Sequence, residues 1–357
     1  QAQLTHNYRS DIDGLRAFAV VSVVIFHAFS WMIPGGYAGV DVFFVISGYL
    51  ITTNILNGLN ESTFTIQGFY QRRIRRIFPA LVTMLALVYA FAWFVLLASE
   101  YRQLGKHVGS GASFISNIIL WQESGYFDTS SAVKPLTHLW SLGIEEQFYI
   151  IWPAILIGLV ALKIPNKVIM GLVAITIAVA AWHRDTLWDQ GVSWLDLYIR
   201  TDTRVDSLLV GALFALIYRH IRINRKILNY VASIAFLGIV YIKYELSTGS
   251  FIFEGGFTVI AILAGIVILA AVQSAWIGNV VLTWKPLVIL GKVSYGLYLW
   301  HMLVFQVMGR HFTWGPKSVR IMIGIIIVSA ITAASWFFIE KPLLRLKDRR
   351  YSSVEPS

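Results

Sequence analysis

The chain contains no cysteine, which excludes disulfides, zinc–thiolate sites and thiol nucleophiles and leaves the redox compartment open. Charge is scarce as well. Only 13% of the 357 residues are Asp, Glu, Lys or Arg, against 57% hydrophobic residues, and the mean hydropathy is +0.67. Such a composition lies outside the range of soluble globular domains and implies a membrane protein with many spans. Long polar stretches are also missing, so one membrane domain is expected over residues 1–345, followed by a polar tail or linker over 346–357. No Walker-type phosphate loop, GxGxxG, HExxH or G-x-S-x-G occurs in a suitable context, which argues against nucleotide hydrolysis and soluble-hydrolase chemistry. No metal site is expected.

What remains is apolar helix. Hydropathy places spans at 15–33, 37–56, 79–98, 142–162, 168–182, 205–219, 226–243, 256–272, 287–307 and 319–339, an all-α, polytopic integral membrane fold of about ten helices. The segment "GSGASFISNIILW" at 109–121 is too short and too rich in Gly and Ser for a span, and reads as re-entrant or interfacial. The first apolar segment is longer than a signal-peptide core and has no small-residue cleavage pattern after it, so it reads as a retained helix. A first residue other than Met suggests a processed or trimmed chain.

The net charge of +10 does not point to nucleic acid, because its placement is that of membrane anchors. Basic residues cluster in "QRRIRR" (71–76), "KIPNK" (163–167), "YRHIRINRK" (218–226) and "EKPLLRLKDRR" (340–350). With a cytoplasmic N-terminus and 109–121 not crossing, all four fall on the cytoplasmic side, as the positive-inside rule requires. Counting 109–121 as a crossing would turn the last three outward.

Ionisable residues inside such helices cost about 2.5–3.5 kcal/mol each on insertion scales, so each is a candidate site. In "LRAFAVVSVVIFHAF", Arg16 and His27 are separated by about 16 Å of helical rise and about 20° around the axis, which puts them on one face. Asp41 enters the next helix from the outer side at a depth comparable to His27, so a carboxylate–imidazole pair is geometrically available to set the tautomer. "HLWSLGIEEQFY" brings His138 to the outer interface and Glu145 and Glu146 one to two turns inward. These two glutamates diverge by about 100° and cannot both face one target. Taken singly, a membrane His or Asp is as readily a helix–helix contact, and "RRIRR" is by default an anchor. Three helices converging on one depth favour a site, and guanidinium forks suit phosphates.

Six segments then resemble, in this order, the hallmarks of the acyltransferase family 3 membrane proteins: "DGLRAFAVVSVVIFH", "GGYAGVDVFFVISGYLIT", "FYQRRIRRIFPAL", "PLTHLWSLGIEEQFYIIWP", "TRVDSLLVGALFA" and "LGKVSYGLYLWH". The resemblance runs from about residue 8 to 340. It implies transfer of an acyl group, commonly acetyl, from cytoplasmic acyl-CoA as co-substrate to an extracytoplasmic carbohydrate hydroxyl, for instance of O-antigen or peptidoglycan. A multi-pass protein of the bacterial inner membrane, acting on a glycan acceptor that can be lipid-linked, is therefore expected, with no permanently bound cofactor and no nucleic acid partner.

The family's Arg-x10-His motif falls on Arg16 and His27, and its Arg-Arg-x-x-Arg motif on Arg72, Arg73 and Arg76, with Arg75 an extra charge. Its remaining blocks fall on His138, Glu145 and Glu146, and on Ser294, Tyr295, Tyr298 and His301. On this reading the arginines hold the phosphates of acyl-CoA and His27 is general base, with a transient acyl carrier as its second role, oriented by Asp41 or Glu145. His138 with Glu145 or Glu146 lines the acceptor mouth with His301 in support, and Tyr295 and Tyr298 are candidate oxyanion donors. Many members continue into an SGNH hydrolase-like domain. This chain stops first, which suggests a stand-alone member or the membrane half of a longer protein. The rival reading, a proton-coupled transporter or glycan flippase, calls for inverted repeats and helices broken at mid-membrane, and the sequence shows neither clearly.

Overall fold

The computed structural model describes residues 8–123, 134–220, 223–245, 250–312 and 315–344. The expected tail at 346–357 lies outside the described residues, as do parts of the basic segments at 218–226 and 340–350. All regular structure among the described residues is helical, without strands, so the fold is all-α as expected.

In chain order the helices are α1 (Ser10–Ala28), α2 (Gly39–Asn60), α3 (Ile66–Ala92), α4 (Ala98–Ala112), α5 (Ser116–Glu123), α6 (Leu139–Ala161), α7 (Asn166–Asp189) and α8 (Trp194–Ile199). They continue with α9 (Val205–His220), α10 (Arg225–Glu245), α11 (Gly256–Val272), α12 (Asn279–Leu282), α13 (Lys285–Lys292), α14 (Ser294–His311) and α15 (Lys317–Ser335). A π-helical turn, Trp336–Glu340, extends α15.

Six helical stretches are long and apolar enough to cross a bilayer: Gly36–Asn60, Ile66–Ala92, Leu139–Ala161, Asn166–Asp189, Arg225–Tyr244 and Lys317–Leu344. α13 and α14 make a seventh if they form one bent span. The count of ten is therefore not confirmed. The other three expected spans fall on α1, α9 and α11. α1 carries Asp11, Asp13 and Arg16 in its first two turns, while α9 and α11, at 16 and 17 residues, reach about 24–26 Å against a hydrocarbon core of about 30 Å. The helix break between α13 and α14 at Val293 was not foreseen. α3 also starts at Ile66, with Thr65 accepting from Gly68 N at 3.2 Å as its N-cap, so the "QRRIRR" segment is helical and not an inter-helix loop.

The long helices are apolar on both faces. On α7, Ile169, Val173, Ile177, Ala180 and Arg184 are buried, while Leu172, Ile175, Val179 and Trp182 form an exposed stripe at helical spacing. α10 repeats the pattern with exposed Ile234, Leu237 and Tyr241. A soluble helix presents polar residues outward; an outward apolar stripe fits hydrocarbon as the solvent.

The chain divides into two units. The first comprises residues 1–53, 152–197 and 202–294. In it α1 packs against α12 and α13, α9 lies against α7 and α11, and α10 against α11. Two contacts there are backbone-close. Gly48 on α2 lies against the Leu208 carbonyl and Gly211 on α9 against the Val45 carbonyl, and a Cβ at either glycine would overlap it. Small residues let apolar helices approach where lipid supplies no hydrophobic drive between them. Gly211→Leu should lower the thermal midpoint of the purified protein, with a destabilisation of about 1–3 kcal/mol or more. Gly158→Ala, with open space around its α-carbon, should leave the midpoint unchanged. Equal midpoints for the two variants would refute the close-contact account.

The second unit comprises residues 54–151, 198–201 and 295–357. In it α3 packs against α4 and against the π-helical turn, and α4 against α5. The segment expected to be re-entrant or interfacial is the end of α4, a turn through Phe114 at φ 57°, and α5. The turn is tied down by Gln147, which donates to the Phe114 carbonyl at 3.1 Å and to Asn117 Oδ1 at 2.9 Å. Glu123, ending α5, pairs with Lys106 at 2.7 Å and His107 at 2.9 Å, both on α4, and with Lys134 at 3.7 Å. Burial pushes the Glu123 carboxyl up, but the bonds from Lys106 and His107 outweigh it and hold it below the ordinary value of 4.5. The pairing thus contributes stability above pH 4.5 that is lost as pH falls through the lowered value. Glu123→Gln should flatten that acid loss in a pH series of melting midpoints, and an unchanged acid limb would show that the cluster contributes nothing.

Candidate active site

Arg16, His27 and Asp41 belong to the first unit. α1 has non-polar residues at nearly every position between Arg16 and His27, and the helix carries both on one face as its period requires. Arg16 is half-buried and pairs with Asp13 one turn earlier at 3.4 Å; the other Asp13 oxygen accepts from the Tyr8 hydroxyl at 2.6 Å. His27 is half-buried, and its Nδ1 lies 2.9 Å from the Val23 carbonyl. A carbonyl oxygen only accepts, so Nδ1 is the protonated nitrogen and the neutral ring keeps its lone pair on Nε2.

Asp41 does not take the role expected of it. Its Oδ1 accepts from Arg204 Nη2 at 2.7 Å and Ser207 Oγ at 2.9 Å, with both charged side chains fully buried. A carboxylate without access to water needs a cation more than a neutral imidazole, and the orientation of His27 comes from its own helix through Val23. A second buried pair lies in the same unit. Arg184 Nη1 bonds Asp206 Oδ2 at 2.9 Å and the Thr203 carbonyl at 2.6 Å, while its Nη2 donates to Thr258 Oγ1 at 2.7 Å. The Arg204 guanidinium also covers the Phe257 ring at 3.4 Å. Lys243, buried on α10, donates to Ser22 Oγ at 3.0 Å and sits over Phe18 at 4.4 Å. Phe18 and Ser22 lie on the side of α1 opposite Arg16 and His27.

Arg184, Arg204, Asp206 and Lys243 were not singled out in the sequence. "TRVDS" held the signal for two of them, an arginine and an acid heading an apolar helix, but their partners are 163 and 22 residues away.

The other expected residues belong to the second unit. α6 and the residue before it place His138, Ser141, Glu145 and Tyr149 along one stripe, and α14 does the same with Tyr295, Tyr298 and His301. The Tyr298 hydroxyl is shared between the His138 carbonyl at 2.8 Å and Ser141 Oγ at 2.6 Å. His138 Nε2 donates to the Leu299 carbonyl at 3.1 Å, His301 Nδ1 donates to the Tyr298 carbonyl at 2.7 Å, and the two rings meet edge-on with centroids 5.9 Å apart. By the carbonyl argument, the neutral His301 carries its lone pair on Nε2 and the neutral His138 on Nδ1.

Further along the same two helices lies a charged group. Arg73 stacks over the Tyr149 ring at 3.5 Å, the Tyr149 hydroxyl bonds Glu145, and the buried Glu146 experiences the charges of Arg73 and Arg76. The Tyr295 hydroxyl donates to the Ile77 carbonyl at 3.0 Å, next to Arg76. Glu340, buried in the π-helical turn, accepts from Ser335 Oγ at 3.0 Å and lies within electrostatic reach of Arg76.

The glutamates expected at an acceptor mouth are thus clustered with arginines expected at the donor end. Their 100° divergence is kept: Glu145 engages Tyr149, and Glu146 answers the arginines. Arg72 and Arg76 are exposed and Arg73 half-buried. Tyr295 donates its hydroxyl proton to a carbonyl and Tyr298 to a carbonyl or Ser141, so these bonds must open before either phenol could serve as an oxyanion donor. Ser141, Tyr149 and Glu340 were missed. In the sequence Glu340 is legible only as the acid that ends the last apolar run and opens the basic segment 340–350. No group of three His, Asp or Glu among the described residues could hold a metal ion.

Asp41→Asn leaves Arg204 as a buried charge without its counter-ion and should cost about 3–5 kcal/mol, read as a lower melting midpoint. Asp41→Leu combined with Arg204→Met should recover part of that loss. A single variant that melts like the wild type would contradict the structural role.

A family model described as an acyltransferase domain matches residues 9–340. The chain is 34% identical over 369 residues to YrhL of Bacillus subtilis, and 32% identical over 347 residues to the O-acetyltransferase OatA of Staphylococcus aureus. It is also 32% identical over 352 residues to the peptidoglycan O-acetyltransferase OatA of Listeria monocytogenes. These alignments cover 94–97% of the chain, which itself spans only 56–57% of the length of these relatives. No solved structure matches it. With its sequence blocks in order and the family match running over residues 9–340, the chain belongs to the acyltransferase family 3 membrane proteins.

Proposed function

We propose that the chain transfers an acetyl group from acyl-CoA to a hydroxyl of a cell-surface carbohydrate, with peptidoglycan the acceptor class suggested by the name of the Listeria relative. O-antigen, the other acceptor expected from the family resemblance, is the alternative glycan. The observation that carries the reading is His27. Its Nδ1 is held by the Val23 carbonyl at 2.9 Å, so the neutral ring carries its lone pair on Nε2, the tautomer with which it could act as general base.

In the proposed step Nε2 takes the proton of the acceptor hydroxyl as its oxygen attacks the thioester carbonyl. The new C–O bond forms, the C–S bond breaks, and the imidazolium returns its proton to the departing thiolate. Arg16, about three helical turns from His27, is assigned to the phosphates of the donor, which a pantetheine arm separates from the thioester by a comparable length. Arg72, Arg73 and Arg76 are assigned to the same donor chemistry. The His138–Tyr298–His301 group is assigned to acceptor hydroxyls, while Glu146, beside Arg73 and Arg76, stays with the donor arginines. The donor end is placed at the cytoplasmic face of the inner membrane and the N-terminus inside.

The test is transfer of label from acetyl-CoA by the full chain in liposomes, offered peptidoglycan fragments or O-antigen as acceptor. His27→Ala should lower transfer by about 10²–10⁴-fold while leaving the melting midpoint unchanged, and full activity would remove His27 from the mechanism. Arg16→Gln or Arg73→Gln should raise the donor KM by about tenfold or more with the acceptor KM unchanged. The opposite split would contradict the donor assignment.

A further inference from the structure

At one end of the first unit, Tyr218, Arg219, Ile223, Arg225, Val272 and Gln273 line a cavity of about 440 Å³. It forms where α9 ends, α10 begins and α11 ends. Arg9, which precedes α1, donates to the Ala271 carbonyl beside this cavity at 3.2 Å. The cavity therefore lies at the end of the unit from which α1 starts, toward Arg16 and away from His27.

Two guanidinium groups share this surface with no carboxylate in its lining, and neither makes a hydrogen bond or ion pair among the described residues. Arg219 sits in the last turn of α9, where a cation offsets the negative end of the helix dipole. Arg225 has no such reason to be where it is. It is the first residue of α10, the positive end, where a cation is disfavoured. The positive-inside pattern accounts for basic residues in this segment but not for their convergence on one concave surface. Two like charges facing one cavity lower their mutual repulsion when an anion sits between them, and guanidinium forks match phosphate oxygens in pairs.

We propose that this cavity is a phosphate-binding site, with Arg219 and Arg225 as its anion ligands. The Tyr218 ring offers a stacking face and the Gln273 amide a donor–acceptor pair, the features that recognise a heteroaromatic base beside a phosphate. Two sources share this chemistry: the adenosine 3′,5′-bisphosphate end of acyl-CoA, and the phosphodiester headgroup of an anionic lipid. The nucleotide source rests on the donor proposed above; the lipid source does not.

The experiment uses the full chain purified in detergent, with adenosine 3′,5′-bisphosphate as one probe and phosphatidylglycerol nanodiscs as the other, titrated against wild type, Arg225→Gln, and Arg219→Gln with Arg225→Gln. The double variant should bind at least one probe about tenfold more weakly or worse, with Arg225→Gln, a change at an exposed position, weakened in the same direction. Loss confined to the nucleotide assigns the cavity to the donor, and loss confined to the nanodiscs assigns it to lipid. Wild type that binds neither probe, or variants that bind both as wild type does, overturns the site. If wild type binds the nucleotide through these arginines yet transfers no acetyl group, the site stands and the transferase reading falls. If it transfers acetyl but the variants bind normally, the reverse holds.

Discussion

The pairing of Arg204 with Asp41, both without solvent exposure, is the constraint on which the first unit depends. Hydrocarbon surrounds its long helices, so a charge placed inside has no water to fall back on, and only a counter-charge with well-directed hydrogen bonds makes it tolerable. The same rule governs Arg184 and Asp206. Each pair joins residues distant in the chain, Asp41 near the start of α2 to the residue that heads α9, and Arg184 on α7 to Asp206 on α9. α9 is thereby held electrostatically to α2 and α7, while Gly48 and Gly211 let α2 and α9 meet at backbone distance. Charge pairing sets the register and glycine sets the separation.

A second regularity concerns the histidines. His27, His138 and His301 each give one ring nitrogen to a backbone carbonyl, of Val23, Leu299 and Tyr298 respectively. Where water and carboxylates are scarce, the peptide carbonyl is the cheapest group that can fix a tautomer, because every helix already supplies it. Asp41 is thereby released from orienting an imidazole and is committed to an arginine. For a general base the distinction matters: a carbonyl orients the ring without adding the negative charge that would raise its basicity.

Much of this was legible in the chain. The all-helical class follows from apolar runs that only helices can carry through lipid, and the single face shared by Arg16 and His27 follows from helical period. The stripes His138–Glu145 and Tyr295–Tyr298–His301 were present as spacings inside quoted blocks. The departures have identifiable causes. Hydropathy averages over a window, so it begins the third expected span at residue 79, where α3 in fact starts at Ile66 and takes the arginines into the helix. It also carried the run 287–307 across the break at Val293, because a change of backbone direction leaves no mark on apolar content.

The sequence by itself determined the solvent, the secondary structure, the family and the residue types available for chemistry, because these rest on composition and on local periodicity. Which carboxylate answers which cation was decided only by tertiary structure. Asp41 had a histidine within plausible reach on the neighbouring helix and an arginine 163 residues away, and no local pattern ranks the two. Folding ranks them, since a buried carboxylate gains far more from a guanidinium than from a neutral imidazole.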